Sequence, residues 1–127
     1  MVYESYQGSH MKVYMLYLSK DGKKFLKVGT TKAKDVNMRI EFNKKDDELS
    51  GRTPWTTFFD EVKVSKSVTL QTEEAALRLE SMILEQWGDR DIFFDENMSG
   101  ISEIRKYSPD RFQIAKDIID NNRVTYA

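Results

Sequence analysis

The chain of 127 residues contains no cysteine, and its one histidine sits in Gly8-Ser9-His10-Met11, which has the form of a cloning scar ahead of a natural start at Met11. Residues 1–10 are set aside as an expected tag remnant, leaving 11–127 as a single domain. A zinc site of thiolates and imidazoles, a Ser-His-Asp triad and a thiol nucleophile therefore have no residues to make them. Any metal would be a hard ion held by oxygen, and Mg²⁺ or Mn²⁺ fits. No apolar run approaches a membrane span and no secretory signal pattern is visible, so a soluble cytoplasmic protein is expected. Internal repeats and low-complexity segments are absent as well.

Net charge is also lacking, at −1, which by itself argues against a general nucleic-acid binder. The distribution of charge says more. Residues 12–45 hold ten Lys/Arg against three acids, whereas residues 46–127 hold ten against seventeen. The first third is expected to present a basic face to an anionic partner. Lysine-rich turns and helix faces that are merely solvated would give the same count.

The hydrophobic pattern divides the chain into elements. Lys12–Leu18 and Lys24–Gly29 are rich in β-formers and flank Asp21-Gly22, a strong hairpin signal. Asp35–Lys45, with Val36 and Ile40 four apart, reads as a short helix, and Asp46–Pro54 as a loop. Trp55–Val64 supplies a third strand, and Ser65–Thr72 leads into a helix that Thr72 caps and Gly88 ends. Short strands are candidates at Ile92–Phe94 and Glu103-Ile104, and a last helix covers Asp110–Asn121 with Ser108 or Pro109 near its start. The expected class is α/β (α+β): a small antiparallel sheet of about three strands flanked by helices. Trp87, Phe93 and Phe94 suit a core or an interface equally.

One residue breaks the pattern. On a wheel of roughly 100° per residue, Ala76, Leu79, Ile83, Leu84 and Trp87 hold one arc of the helix between Thr72 and Gly88, and Glu80 falls inside it. A carboxylate on a core-facing stripe is costly unless a cation, a metal or a hydrogen-bond donor meets it. Arg39 or Lys27 would serve as a structural ion-pair partner; a bound metal would serve as a functional one.

The order of Tyr14, Gly29, Arg39 and Glu80 resembles the GIY-YIG nuclease superfamily. The two family triplets correspond to Lys12-Val13-Tyr14 and Lys27-Val28-Gly29, with twelve residues between Tyr14 and Lys27. Arg39 follows Gly29 by ten positions, and Glu80 lies in Leu79-Glu80-Ser81. The second triplet, followed by Thr30-Thr31, is similar to that of a phage-associated branch whose motif reads Lys-Ile-Gly-Thr. The resemblance spans residues 12–105. It implies a metal-dependent endonuclease acting on DNA, with Tyr14, Lys27, Arg39 and Glu80 catalytic, Gly29 and Thr31 at the substrate, and Glu80 holding Mg²⁺ or Mn²⁺. A late Asn or Glu of the family has possible matches in Asn97 and Glu103, and a homodimer would suit double-strand cleavage.

Chemistry supports those roles. Phosphodiester hydrolysis needs a nucleophilic water, a base, and cations over a phosphate that gains charge. Arg39 can fork two phosphate oxygens; Tyr14, with Tyr17 as the other tyrosine of that strand, would position or activate the water. Lys27 stands where many relatives have a second tyrosine, and lysine can donate to phosphate but cannot accept as a phenol does. Gly29 lets backbone approach substrate closely, and Thr31 is a candidate hydroxyl donor. The alternative is a GIY-YIG-like module that binds nucleic acid or a protein without cutting. An unrelated small α/β domain would require all four positions to coincide by chance.

Overall fold

The computed structural model of the protein describes residues 10–92 and 97–122. Asp21 and Gly22 both take positive φ (51° and 81°), the conformation that folds a two-residue hairpin with the native strand twist. That turn joins β1 (Met11–Lys20) to β2 (Lys23–Thr31) in a register that sets Tyr14 opposite Gly29 and Leu16 opposite Lys27. Then follow α1 (Val36–Ser50), the single turn α2 (Trp55–Phe58), β3 (Glu61–Leu70), α3 (Glu73–Trp87), a 3-10 turn (Ile101–Glu103), β4 (Ile104–Lys106) and α4 (Pro109–Asn121). The sheet order is β3-β1-β2-β4 with every neighbouring pair antiparallel. The class is α+β, with four strands where about three were expected, because Ile104–Lys106 pairs with Phe25–Lys27.

Helices cover both faces of the sheet. Successive strand residues point to opposite sides, so Val13, Met15, Leu26, Val28, Val68 and Leu70 pack against Ala76, Leu79, Ile83 and Trp87 of α3 and Ala115 and Ile119 of α4. On the other side Tyr14, Leu16, Leu18, Phe25 and Ile104 meet Val36, Trp55, Phe59, Ile92, Met98 and Ile101. Burial on both sides is why β1 reads as a nearly unbroken apolar run. Trp87 belongs to the first core, its indole nitrogen donating to the Arg111 carbonyl at 2.8 Å.

Three boundaries differ from expectation. α1 continues past Lys45 to Ser50, and only Val36 and Asp47 of it are buried, so hydrophobic periodicity had nothing to follow there. Trp55–Phe58 forms a helical turn instead of the start of a strand: Trp55 and Phe59, four apart, both drop into the second core. The strand then runs Glu61–Leu70, into what was expected to be a connection. The caps fall where expected, with Thr72 accepting from the Ala75 amide and Ser108 from the Arg111 amide. Of the expected Ile92–Phe94 strand, Phe93 and Phe94 lie outside the described residues, as do residues 1–9 of the segment expected to be a tag remnant. No helix among the described residues is long and apolar enough to cross a membrane.

β4 is the element that positions the site. It pairs with β2 only as far as Lys27, and Gly29 and Thr30 beyond that point line an open cleft. α1 closes one side of the opening, while Leu77 and Glu80 of α3 reach it from the other.

Candidate functional site

The hairpin register lays the Tyr14 ring across Gly29: a Cβ there would sit 2.5 Å from the phenol oxygen and 2.6 Å from Cζ. Tyr14 is 2% exposed, so the ring has no free space to give. Gly29→Ala is expected to cost about 1–3 kcal/mol, the range for forcing bulk into a packed site. Tyr14→Ala should relieve that penalty in the double variant; a double-mutant cycle of urea unfolding in which the two changes add independently would show that the ring does not press on residue 29.

Two residues before Gly29 on the same strand face, Lys27 extends a side chain that is only 5% exposed. Its ammonium lies 4.9 Å from the Trp55 ring centroid and 6.0 Å from that of Tyr14, and donates to Glu103 Oε1 at 3.0 Å. Gly100, at φ 74°, brings its backbone against this lysine so closely that a Cβ would be 3.1 Å from Lys27 Cε. Burial alone would lower the lysine's pKa, but attraction from Glu103, Tyr14 and Glu80 outweighs it and holds the group above its ordinary value. Lys27 is thus a fixed cation at neutral pH.

Arg39 from α1 and Glu80 from α3 complete the cleft, which has a volume of about 470 Å³. Neither forms an ion pair or a side-chain hydrogen bond among the described residues. Arg39 Nε is buried without a partner, as are Asn43 Oδ1 and Trp55 Nε1, whose residues line the same cleft. Unspent hydrogen-bonding capacity at this density is unusual in a folded interior. Glu80 is half-buried, and its carboxyl is pushed up to about 7, first by burial and then by repulsion from Glu103, with Lys27 pulling the other way. The carboxylate therefore has the coordination capacity that the sequence position demanded, and its structural partnership with Arg39 or Lys27 is not formed: Lys27 is taken by Glu103.

The structure brings Tyr14, Lys27, Gly29, Arg39 and Glu80 to one cleft and leaves Thr31 out. Thr31 is buried, and its hydroxyl oxygen accepts from the Ala33 amide, so it serves the turn after β2; Thr30 lines the cleft in its place. Tyr17 has the wrong parity, lying on the opposite face against the ring of Tyr107. Of the two late matches, Glu103 lines the cleft, whereas exposed Asn97 does not and donates to the Gly51 carbonyl at 3.4 Å. Asp47 and Ser99 also line the cleft, without a motif that marks them in the sequence. The Ser99 hydroxyl lies 2.8 and 2.7 Å from the two Asp47 carboxylate oxygens, tying the loop before the 3-10 turn to α1. Asp47, an acid in a weakly amphipathic segment, gave no periodic signal.

No family model, curated protein or solved structure matches the chain.

No group of three carboxylates or histidines suited to caging a metal occurs among the described residues. Glu80 and Glu103 are carboxylates of the cleft that could lend oxygens to a hard cation, Glu103 having one oxygen already engaged by Lys27.

Proposed function

We propose that the protein is a metal-dependent endonuclease of GIY-YIG type that hydrolyses DNA phosphodiester bonds in the cytoplasm. The observation that supports this best is the convergence of Tyr14, Lys27, Arg39 and Glu80, from two strands and two helices, on one polar cleft. In hydrolysis a water oxygen bonds to phosphorus and the bond to the leaving oxygen breaks; one proton leaves the water and one reaches the leaving oxygen. Cations fixed beforehand at the phosphate stabilise the charge that gathers there. Arg39 supplies two or more N–H donors at the cleft wall, suited to clamping non-bridging oxygens. Lys27 is held protonated by its neighbours, so it stabilises charge and does not accept the proton. The Tyr14 phenol is left to orient the water and pass its proton on. Glu80 would hold Mg²⁺ or Mn²⁺, which when bound supplies Lewis-acid stabilisation of the phosphate. A homodimer enters only if both strands of a duplex are cut together.

A second reading, a module that binds nucleic acid or protein without cutting, is favoured by the engagement of Lys27 with Glu103 where relatives carry a second tyrosine. Supercoiled plasmid with Mg²⁺ or Mn²⁺ separates the two. The intact protein is expected to nick or linearise it, with Arg39→Ala slower by about 10²-fold or more, as for loss of one transition-state donor. Cleavage that survives both Arg39→Ala and Glu80→Ala rejects the enzyme; salt-sensitive binding without product supports the module.

A further inference from the structure

α1 carries a surface that its fold does not use. Met38, Phe42 and Leu49 are 48%, 51% and 82% exposed, and with Lys45 they form one stripe at spacings of four, three and four residues. Arg39 and Asn43, each one position further round the helix, line the cleft. The stripe is therefore the outer rim of the proposed phosphate site, with Phe42 one helical turn from Arg39.

The charge around Phe42 tells what kind of partner suits it. Arg39 and Lys45, three residues to either side of Phe42 and so on its part of the helix surface, make no ion pair among the described residues, and Asp46 is the acid at the matching spacing of four. Two cations without an ion-pair partner on either side of an exposed aromatic ring, at the edge of a cleft lined by one of them, match a nucleic-acid strand: phosphates meet the cations and a base covers the ring. Glu41 points about 100° away from Phe42 round the helix, and Asp46 and Glu48 bound the surface on its C-terminal side. In an intact duplex the faces of the bases are occupied by their stacked neighbours, and none is available to Phe42. We propose that Phe42 is a stacking platform for an unpaired base next to the phosphate held in the cleft, so that the substrate is single-stranded or locally unpaired nucleic acid. The inference rests on the phosphodiesterase reading and narrows its substrate class.

The test measures fluorescence anisotropy of a fluorescein-labelled, mixed-sequence single-stranded DNA 20-mer and of its fully paired duplex, in EDTA to prevent cleavage. The wild-type chain is expected to bind the single strand more tightly. Phe42→Ala should weaken single-strand binding about tenfold and leave duplex binding unchanged, while Phe42→Trp keeps it, since stacking tolerates any aromatic face. Arg39→Ala should weaken both. Phe42 is half exposed, so circular dichroism of the alanine variant serves as a check that the fold is retained. Equal binding of strand and duplex, or an unchanged single-strand affinity in Phe42→Ala alongside a loss in Arg39→Ala, overturns the platform and leaves the phosphate cleft standing. Absence of binding to either DNA together with absence of nicking overturns both. A dimer in sedimentation that Phe42→Ala converts to monomer assigns the stripe to a second copy of the chain and likewise overturns the proposal.

Discussion

Glu80→Gln is expected to lower DNA cleavage by about 10³-fold and, at pH 8, to make the fold more stable than the unsubstituted protein. The two effects have one cause. The Glu80 carboxyl is pushed up to about 7 in the fold, from an ordinary value of 4.5, by burial and by repulsion from Glu103. Between those pH values the folded chain binds more protons at this position than the unfolded chain. Stability is therefore expected to fall as pH rises from about 4.5 through 7 and to stay lower above that range. Glutamine has no proton to lose, so the variant should lack this decline, matching the parent near pH 4 and exceeding it at pH 8. Urea unfolding across that range, alongside plasmid cleavage, reads both quantities on the same preparations. A bound divalent cation favours the carboxylate, so Mg²⁺ should stabilise the parent more at pH 8 than at pH 6 and do little for the glutamine variant. If the variant were less stable at pH 8, Glu80 would be holding the fold together, and its place in the cleft would need another explanation.

The hairpin and both long helices of the first core were legible because their patterns are strong: Asp21-Gly22 at the turn, runs of β-formers on either side of it, and capped apolar arcs in α3 and α4. α2 was not, since aromatic and β-branched residues suit a strand until tertiary burial of Trp55 and Phe59 decides otherwise, and the end of α1 was not, since Asp47 is its one buried residue and gives no apolar period. In the site, Glu80 was found by a local conflict, a charge inside an apolar arc, and such conflicts are where function tends to oppose stability. Gly29 and Tyr14 came from ordered motifs, and the register explains why they occur together: the ring needs a partner strand position with no side chain. Thr31 lies outside the cleft for a reason of position. It shares strand parity with Lys27 and Gly29, but the chain turns there and the hydroxyl is used locally. The tie from Asp47 to Ser99 joins residues 52 positions apart, and neither residue differs locally from a solvated polar group.

The Lys27–Glu103 pair makes the second large prediction, and its two halves are not equivalent. Glu103→Gln leaves an ammonium whose side chain is 5% exposed without its hydrogen-bonded carboxylate, and is expected to cost about 3 kcal/mol. Lys27→Met leaves a carboxylate that is 32% exposed and can be hydrated, so its cost should be nearer about 1 kcal/mol. The double variant should recover much of the loss in Glu103→Gln, because no isolated charge remains. Cleavage should fall about 10²-fold in Lys27→Met, which removes a cation from the phosphate. The pH profiles then separate the electrostatic account from simple damage to the fold. Glu103 raises the Glu80 carboxyl and Lys27 lowers it. The acid limb of kcat/KM, which reports loss of the Glu80 proton, should therefore move to higher pH in Lys27→Met and to lower pH in Glu103→Gln. Limbs that move together, or that stay at the parent's position, would mean that these three side chains do not share one field and that the cleft does not work as a unit.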